Sequence, residues 1–166
     1  MGAAPPGPTE TTLGRLAHRG LFTLIAAVPA RLRDRLRRGI FEHTFATEDP
    51  WGYAQLSYEL YKAQELLAAV PPDPSVVIEL GCAQGHLSAK LAERLPQAHV
   101  VGVDLSPTAL CSARSRVREP NCEFLLADAA GLDRAWGARP KAGLLVLSEV
   151  LYYLGVRAAS PRRWHR

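Results

Sequence analysis

Paired cysteine spacing, a histidine cluster and a long apolar run are all missing from this chain, and each absence closes off a class of protein. Cys82, Cys111 and Cys122 are an odd number and lack the spacing of a zinc site, so reduced thiols and no metal are expected. His43, His86 and His99 form no ligand cluster either. The longest apolar run, Leu21 to Ala30, is ten residues, about half of the ~20 that a membrane-spanning helix needs. It follows Arg15 and Arg19 and closes on Val28-Pro29-Ala30, which imitates a secretory leader.

A basic domain is missing too, although the net charge of the 166 residues is +4. Residues 1–40 hold seven arginines against Glu10 and Asp34, and residues 157–166 add four more. Between them, residues 41–156 hold nine Lys or Arg against fourteen acids. The pI near 9.2 therefore comes from the two ends, and no nucleic-acid partner is expected for the acidic middle. Such a domain suits a cationic amine, and it is equally an ordinary solvated surface. Residues 1–12, with Pro5, Pro6 and Pro8, have too little apolar patterning to pack and read as a disordered tail. Beyond Pro29, Leu32, Leu36 and Ile40 recur every four residues among Arg31, Arg33, Arg35, Arg37 and Arg38. That pattern predicts a basic amphipathic helix, with weak membrane-surface contact through residues 31–40 as its partner reading.

What the chain does contain is concentrated between Val76 and Asp104. An apolar run rich in Val and Ile ends at Glu79, Gly81 and Gly85 mark a sharp turn, and a second apolar strand, Val100 to Asp104, closes on an acid 19 residues past Gly85. A carboxylate there is placed to accept hydrogen bonds from both ribose hydroxyls of an adenosine. The turn then discriminates among nucleoside cofactors. Counting G-x-G-x-x-G from Gly81 puts Ala83 and His86 at the second and third glycines, so a dinucleotide fingerprint fails twice, and no Walker A sequence occurs. Read alone, the same glycines also serve any strand-to-helix turn of another α/β protein.

The pattern Glu79-x-Gly81-x-Ala83-x-Gly85 resembles motif I of class I S-adenosylmethionine-dependent methyltransferases, with Ala for the middle glycine. Together with Asp49-Pro50-Trp51-Gly52-Tyr53, Ser57-Tyr58-Glu59, Tyr61-Lys62 and Ser148-Glu149-Val150-Leu151-Tyr152-Tyr153-Leu154, it looks like the NodS-type family over residues 41 to 155. The resemblance implies S-adenosylmethionine as cofactor and N-methylation of an amino sugar or small amine acceptor. It implies a Rossmann-like α/β fold with a parallel sheet and helices on both faces, preceded by an N-terminal helical extension. An enzyme that depends on a metabolite gains nothing outside its supply, so a cytoplasmic location is expected.

In that frame Glu79 suits the ammonium of the cofactor, and the backbone N–H groups opening the next helix face its carboxylate. Cys82, Ala83, Asp104, Leu105, Ala129 and Ser148 lie along the same cofactor, and Asp128 meets the adenine amino group, unless it only caps the following turn. Trp51, Tyr53, Tyr58 and Tyr153 are the acceptor-side aromatics, with simple core packing as the competing account. Glu149, directly after the fourth strand, is the expected base for an amine that must lose its proton, with Tyr152 beside it; capping the next helix is its other reading.

Coarse patterning supplies the rest. Leu56, Leu60, Ala63, Leu67 and Val70 mark a helix face ended by Pro71-Pro72-Asp73-Pro74, and Ser106-Pro107 opens another helix with Ala109, Leu110, Ala113 and Val117 on its apolar face. Strands are expected at about 76–80, 100–104, 123–126 and 142–147. The division is a tail and basic helix over 1–40, a partial methyltransferase domain over 41–155, and an irregular basic end over 156–166. A complete class I sheet has seven strands, so the resemblance implies truncation after the fourth by a premature stop, frameshift or gene-model error. Two readings stay open: an enzyme, and a cofactor-binding fragment or pseudoenzyme without activity. The sequence assigns no oligomeric state.

Overall fold

A computed structural model describes residues 30–50, 52–129, 131–148 and 150. The expected tail over 1–12, the apolar run before residue 30 and the basic end over 156–166 lie outside the described residues. Nine elements follow in chain order: α1 (Ala30–Phe45), α2 (Ser57–Ala69), β1 (Val76–Leu80), α3 (His86–Arg94), β2 (His99–Asp104), α4 (Pro107–Arg116), β3 (Cys122–Leu126), α5 (Leu132–Trp136) and β4 (Leu144–Leu147). The strands form one parallel sheet in the order β3-β2-β1-β4, which is the Rossmann-like α/β arrangement expected from the sequence.

Register sets the two faces. Val76 pairs with His99 and Val77 with Leu144, while Val100 pairs with Cys122, so alternate residues of neighbouring strands share a face. Val77, Val100 and Val146 pack on Leu91 and Ala92 of α3 and on Leu95 just past its end, with Leu66 and Leu67 of α2 and the following Val70 at the border. Ile78, Leu80, Val101 and Val103 point to the other face, where Leu125, Leu132 and Trp136 meet them. Every residue of β1 is buried, because an inner parallel strand is covered on both sides; this is why it reads as a continuous apolar run.

The helix ends follow local chemistry. Ser106 Oγ accepts from the Ala109 N–H at 3.0 Å and Pro107 takes the first turn of α4, as the Ser-Pro pair predicts. Helix α2 ends at Ala69, before the proline cluster. Asn121 closes α3 from a distance, its amide nitrogen lying 3.0–3.2 Å from the carbonyls of Ala92, Leu95 and Ala98. The expected apolar stripe of the basic helix packs only toward its end. Leu32 and Leu36 are 51% and 42% exposed, whereas Phe41 and Phe45 reach the core. No helix among the described residues is long and apolar enough to cross a membrane.

Candidate functional site

The turn from β1 into α3 is built on left-handed backbone. Gly81, Ala83 and Gly85 have φ of 79°, 49° and 80°. A methyl group on Gly85 would come within 2.9 Å of Phe124 and 3.0 Å of Ala113, so glycine is required there by space as well as by conformation. Alanine at 83 costs on the order of 1 kcal/mol in this region. It is held by its neighbours: the Ala83 N–H donates to Asp104 Oδ2 at 2.9 Å, and the Gly81 and Cys82 N–H groups donate to Val103 O at 2.7 and 3.0 Å. The turn is thus clamped to the end of β2.

Two buried acids flank it. Glu79 is 3% exposed and accepts from the Ser88 hydroxyl; burial pushes its carboxyl up to about 7, opposed by the Ser88 bond and reinforced by the Asp104 charge. Asp104 is 8% exposed, and burial raises it as well, against the lowering effect of backbone N–H groups of Ser106, Ala83 and Leu105. Its Oδ1 accepts from the Ser106 N–H at 2.9 Å. Cys82 is buried in the same turn, and burial drives its thiol well above the ordinary range, so it stays protonated.

Beside the turn lies an open cleft between α2, the start of α3 and the end of β4. Glu79, Gly81, Cys82, Ala83 and Ser148 line its floor. Tyr53, Glu59, Lys62, His86 and Lys90 form much of the remaining wall. Lys62 Nζ stands 2.7 Å from Glu59 Oε2, as an ion pair and not as an aligned hydrogen bond. Gln84, 2% exposed, stitches the preceding loop down: its Oε1 accepts from the Asp49 N–H at 3.0 Å and its Nε2 donates to Thr47 O at 3.2 Å. The tie holds Tyr53 with its ring 6.0 Å from that of His86. Burial and the Arg116 guanidinium keep His86 below its usual range, with Asp49 pulling the other way.

The methyltransferase-domain family profile matches residues 77–159, half of the chain. The chain belongs to that family. Its fold and cofactor are those of class I S-adenosylmethionine-dependent methyltransferases. Among curated relatives, trans-aconitate 2-methyltransferase of Methylobacterium radiotolerans is 43% identical over 93 residues, covering 55% of this chain and 34% of that protein. The enzyme of the same name from Azoarcus sp. is 42% identical over 93 residues with the same coverage. The chain spans about a third of the length of these relatives. Among solved structures, N-methyltransferase NodS from Bradyrhizobium japonicum, in complex with S-adenosylhomocysteine, is 26% identical with a TM-score of 0.60, over 70% of this chain and 58% of that one.

The residues of this methyltransferase domain fit its cofactor. A buried acid held near 7 on the floor of a cleft favours a cationic ligand, since a nearby positive charge stabilises its ionised form. Asp104 closes β2 beside the turn, and the left-handed turn lets the backbone come close to a ligand. Glu79, Gly81, Cys82, Ala83, Ser148 and Tyr53 are brought to one cleft. Gly85 caps α3, and Asp104, Leu105 and Ala129 stand along the adjoining strand ends. The exposed Asp128 accepts from the Gly131 N–H and so fastens the turn into α5. Tyr58 has the Lys62 ammonium 5.4 Å from its ring centroid. Trp51, Glu149, Tyr152 and Tyr153 lie outside the described residues. Sequence reasoning missed His86 and Lys90 as cleft residues; their i, i+4 spacing on α3 was the available signal.

Proposed function

We propose that this chain forms the cofactor-binding part of an S-adenosylmethionine-dependent methyltransferase whose acceptor is a small carboxylate. The observation that carries the acceptor reading is the cationic wall of the cleft, where Lys62 and Lys90 face the floor made by the motif I turn. Glu59 is paired with Lys62, and Glu79 is engaged by Ser88, so the acids of the cleft already have partners. When bound, the cofactor supplies an electrophilic methyl on a sulfonium; the protein's part is to align the nucleophile and exclude water. A carboxylate is already ionised and releases no proton, so the described residues need only hold and orient it. The names of the curated relatives, trans-aconitate 2-methyltransferases, support the same class.

The second reading is an amine acceptor, favoured by the likeness to NodS over 70% of this chain. An amine must lose a proton, which calls for a base; Glu149 is the residue proposed for it, with Tyr152 beside it. Calorimetric titration with S-adenosylmethionine, followed by assay of S-adenosylhomocysteine release with a panel of di- and tricarboxylates and amino sugars, separates these. Turnover with carboxylates is expected. Turnover confined to amines transfers the proposal to the second reading, binding without turnover on either panel leaves a cofactor-binding fragment, and no binding overturns the cofactor assignment itself.

A further inference from the structure

Helix α1 brings a third acid beside the end of β2. Glu42 reaches across 66 positions of sequence to accept from the Thr108 hydroxyl through Oε2 at 2.5 Å, and the Ser106 side chain lies beside the same carboxylate. Burial pushes the Glu42 carboxyl up, but the Ser106 and Thr108 bonds and the Arg38 guanidinium more than offset it, so it stays ionised. Its other oxygen, Oε1, is buried and finds no donor among the described residues. Glu42 stands close enough to Asp104 for its charge to push that carboxyl up. The two acids flank Ser106, whose N–H serves Asp104 and whose side chain neighbours Glu42.

Counting acceptors shows what this arrangement lacks. A carboxylate offers about four lone-pair sites. Asp104 already receives N–H groups from Ala83, Ser106 and Leu105, which leaves about one. A ribose diol brings two O–H donors. Asp104 alone cannot serve both well, and Glu42 Oε1 is the buried acceptor nearby without a donor. A second donor there also relieves an orphaned acceptor, which otherwise costs stability.

We propose that Glu42 is a cofactor-binding residue that takes one of the two ribose hydroxyls while Asp104 takes the other, so that α1 reads the diol directly. The inference rests on the cofactor assignment above. It departs from the sequence expectation that Asp104 receives both hydroxyls.

The test is calorimetry on the full chain with S-adenosylhomocysteine and its 2′-deoxy and 3′-deoxy ribose analogues. Glu42→Ala is expected to weaken S-adenosylhomocysteine about ten- to a hundredfold, the size of one hydrogen bond to a charged group, while leaving one deoxy analogue within about twofold of its wild-type affinity. Glu42→Gln keeps the side-chain shape and one acceptor oxygen, and should show the same selectivity at smaller amplitude. Thr108→Val, which removes only the fastening of Glu42, is expected to spare the same deoxy analogue, with smaller losses for the other two ligands. Equal losses for all three ligands in the Glu42 variants, or no loss at all, overturn the proposal and leave Glu42 as a fastener of α1. A wild-type chain that binds none of the three overturns the cofactor assignment itself, and this inference with it.

Discussion

Glu79 is a carboxylate in a place where an ionised group is expensive, and its buried position makes it a reporter of whatever fills the cleft. With its carboxyl pushed up to about 7 by burial, it is roughly half protonated at neutral pH in the ligand-free protein. The folded value lies above the unfolded one, so the stability that Glu79 contributes is fully present below the ordinary value of 4.5 and is lost as pH rises through about 7. A cationic cofactor reverses the preference by favouring the carboxylate. Affinity for S-adenosylmethionine is therefore expected to rise with pH through about 7 and to level off above pH 8, with one proton released per binding event at the lower end. Glu79→Gln should flatten that profile and weaken binding by about tenfold at pH 8, while its unfolding midpoint becomes less sensitive to pH. Calorimetry in buffers of different ionisation enthalpy measures the proton directly; a wild-type profile that is flat from pH 5.5 to 8.5 removes this role.

At the scale of elements, the sequence displayed each strand and helix near the site but not what fastens them together. Val76 to Leu80 and Val100 to Asp104 were legible because inner parallel strands are apolar throughout, and Ser106-Pro107 because its capping chemistry is local. Asn121 was not, since its three carbonyl partners lie 23 to 29 positions away and nothing in its neighbourhood announces them. Glu42 escaped for the same reason. The stripe Leu32, Leu36, Ile40 correctly announced a helix, but periodicity says which residues share a face and not what covers it; two of the three are exposed. The Asn121 amide joins the end of α3 to the start of β3, so Asn121→Ala leaves helix-end carbonyls without their donor. A loss of about 1–3 kcal/mol is expected from the urea midpoint, with cofactor affinity unchanged because the residue sits at the opposite end of the strands from the turn. Unchanged stability would mean that water replaces the amide in full.

Across the whole molecule the two faces of the sheet are unequally covered among the described residues. Helices α2, α3 and α4 pack on the face that carries Val77, Val100 and Phe124, whereas the other face meets only the short α5. The run from Ala142 to Leu147 is apolar throughout, and Leu145 and Leu147 are 45% and 37% exposed. Register places them beside Ile78 and Leu80, so their apolar surface continues the second face outward from the core. β4 is also the last strand of the described sheet, with Val77 to Leu80 on one side and no described strand on the other. An edge strand that carries exposed apolar side chains favours pairing between copies. The wild-type chain is expected to show concentration-dependent association in sedimentation velocity and to bind a hydrophobic dye. Leu145→Lys puts a charge on the exposed face of that edge without touching the turn, Glu79 or Asp104. It should reduce association several-fold and leave S-adenosylhomocysteine affinity within about twofold, since half of the Leu145 side chain is already in water and little burial is given up. If the variant associates as strongly as the wild type, the β4 edge is not what brings copies together.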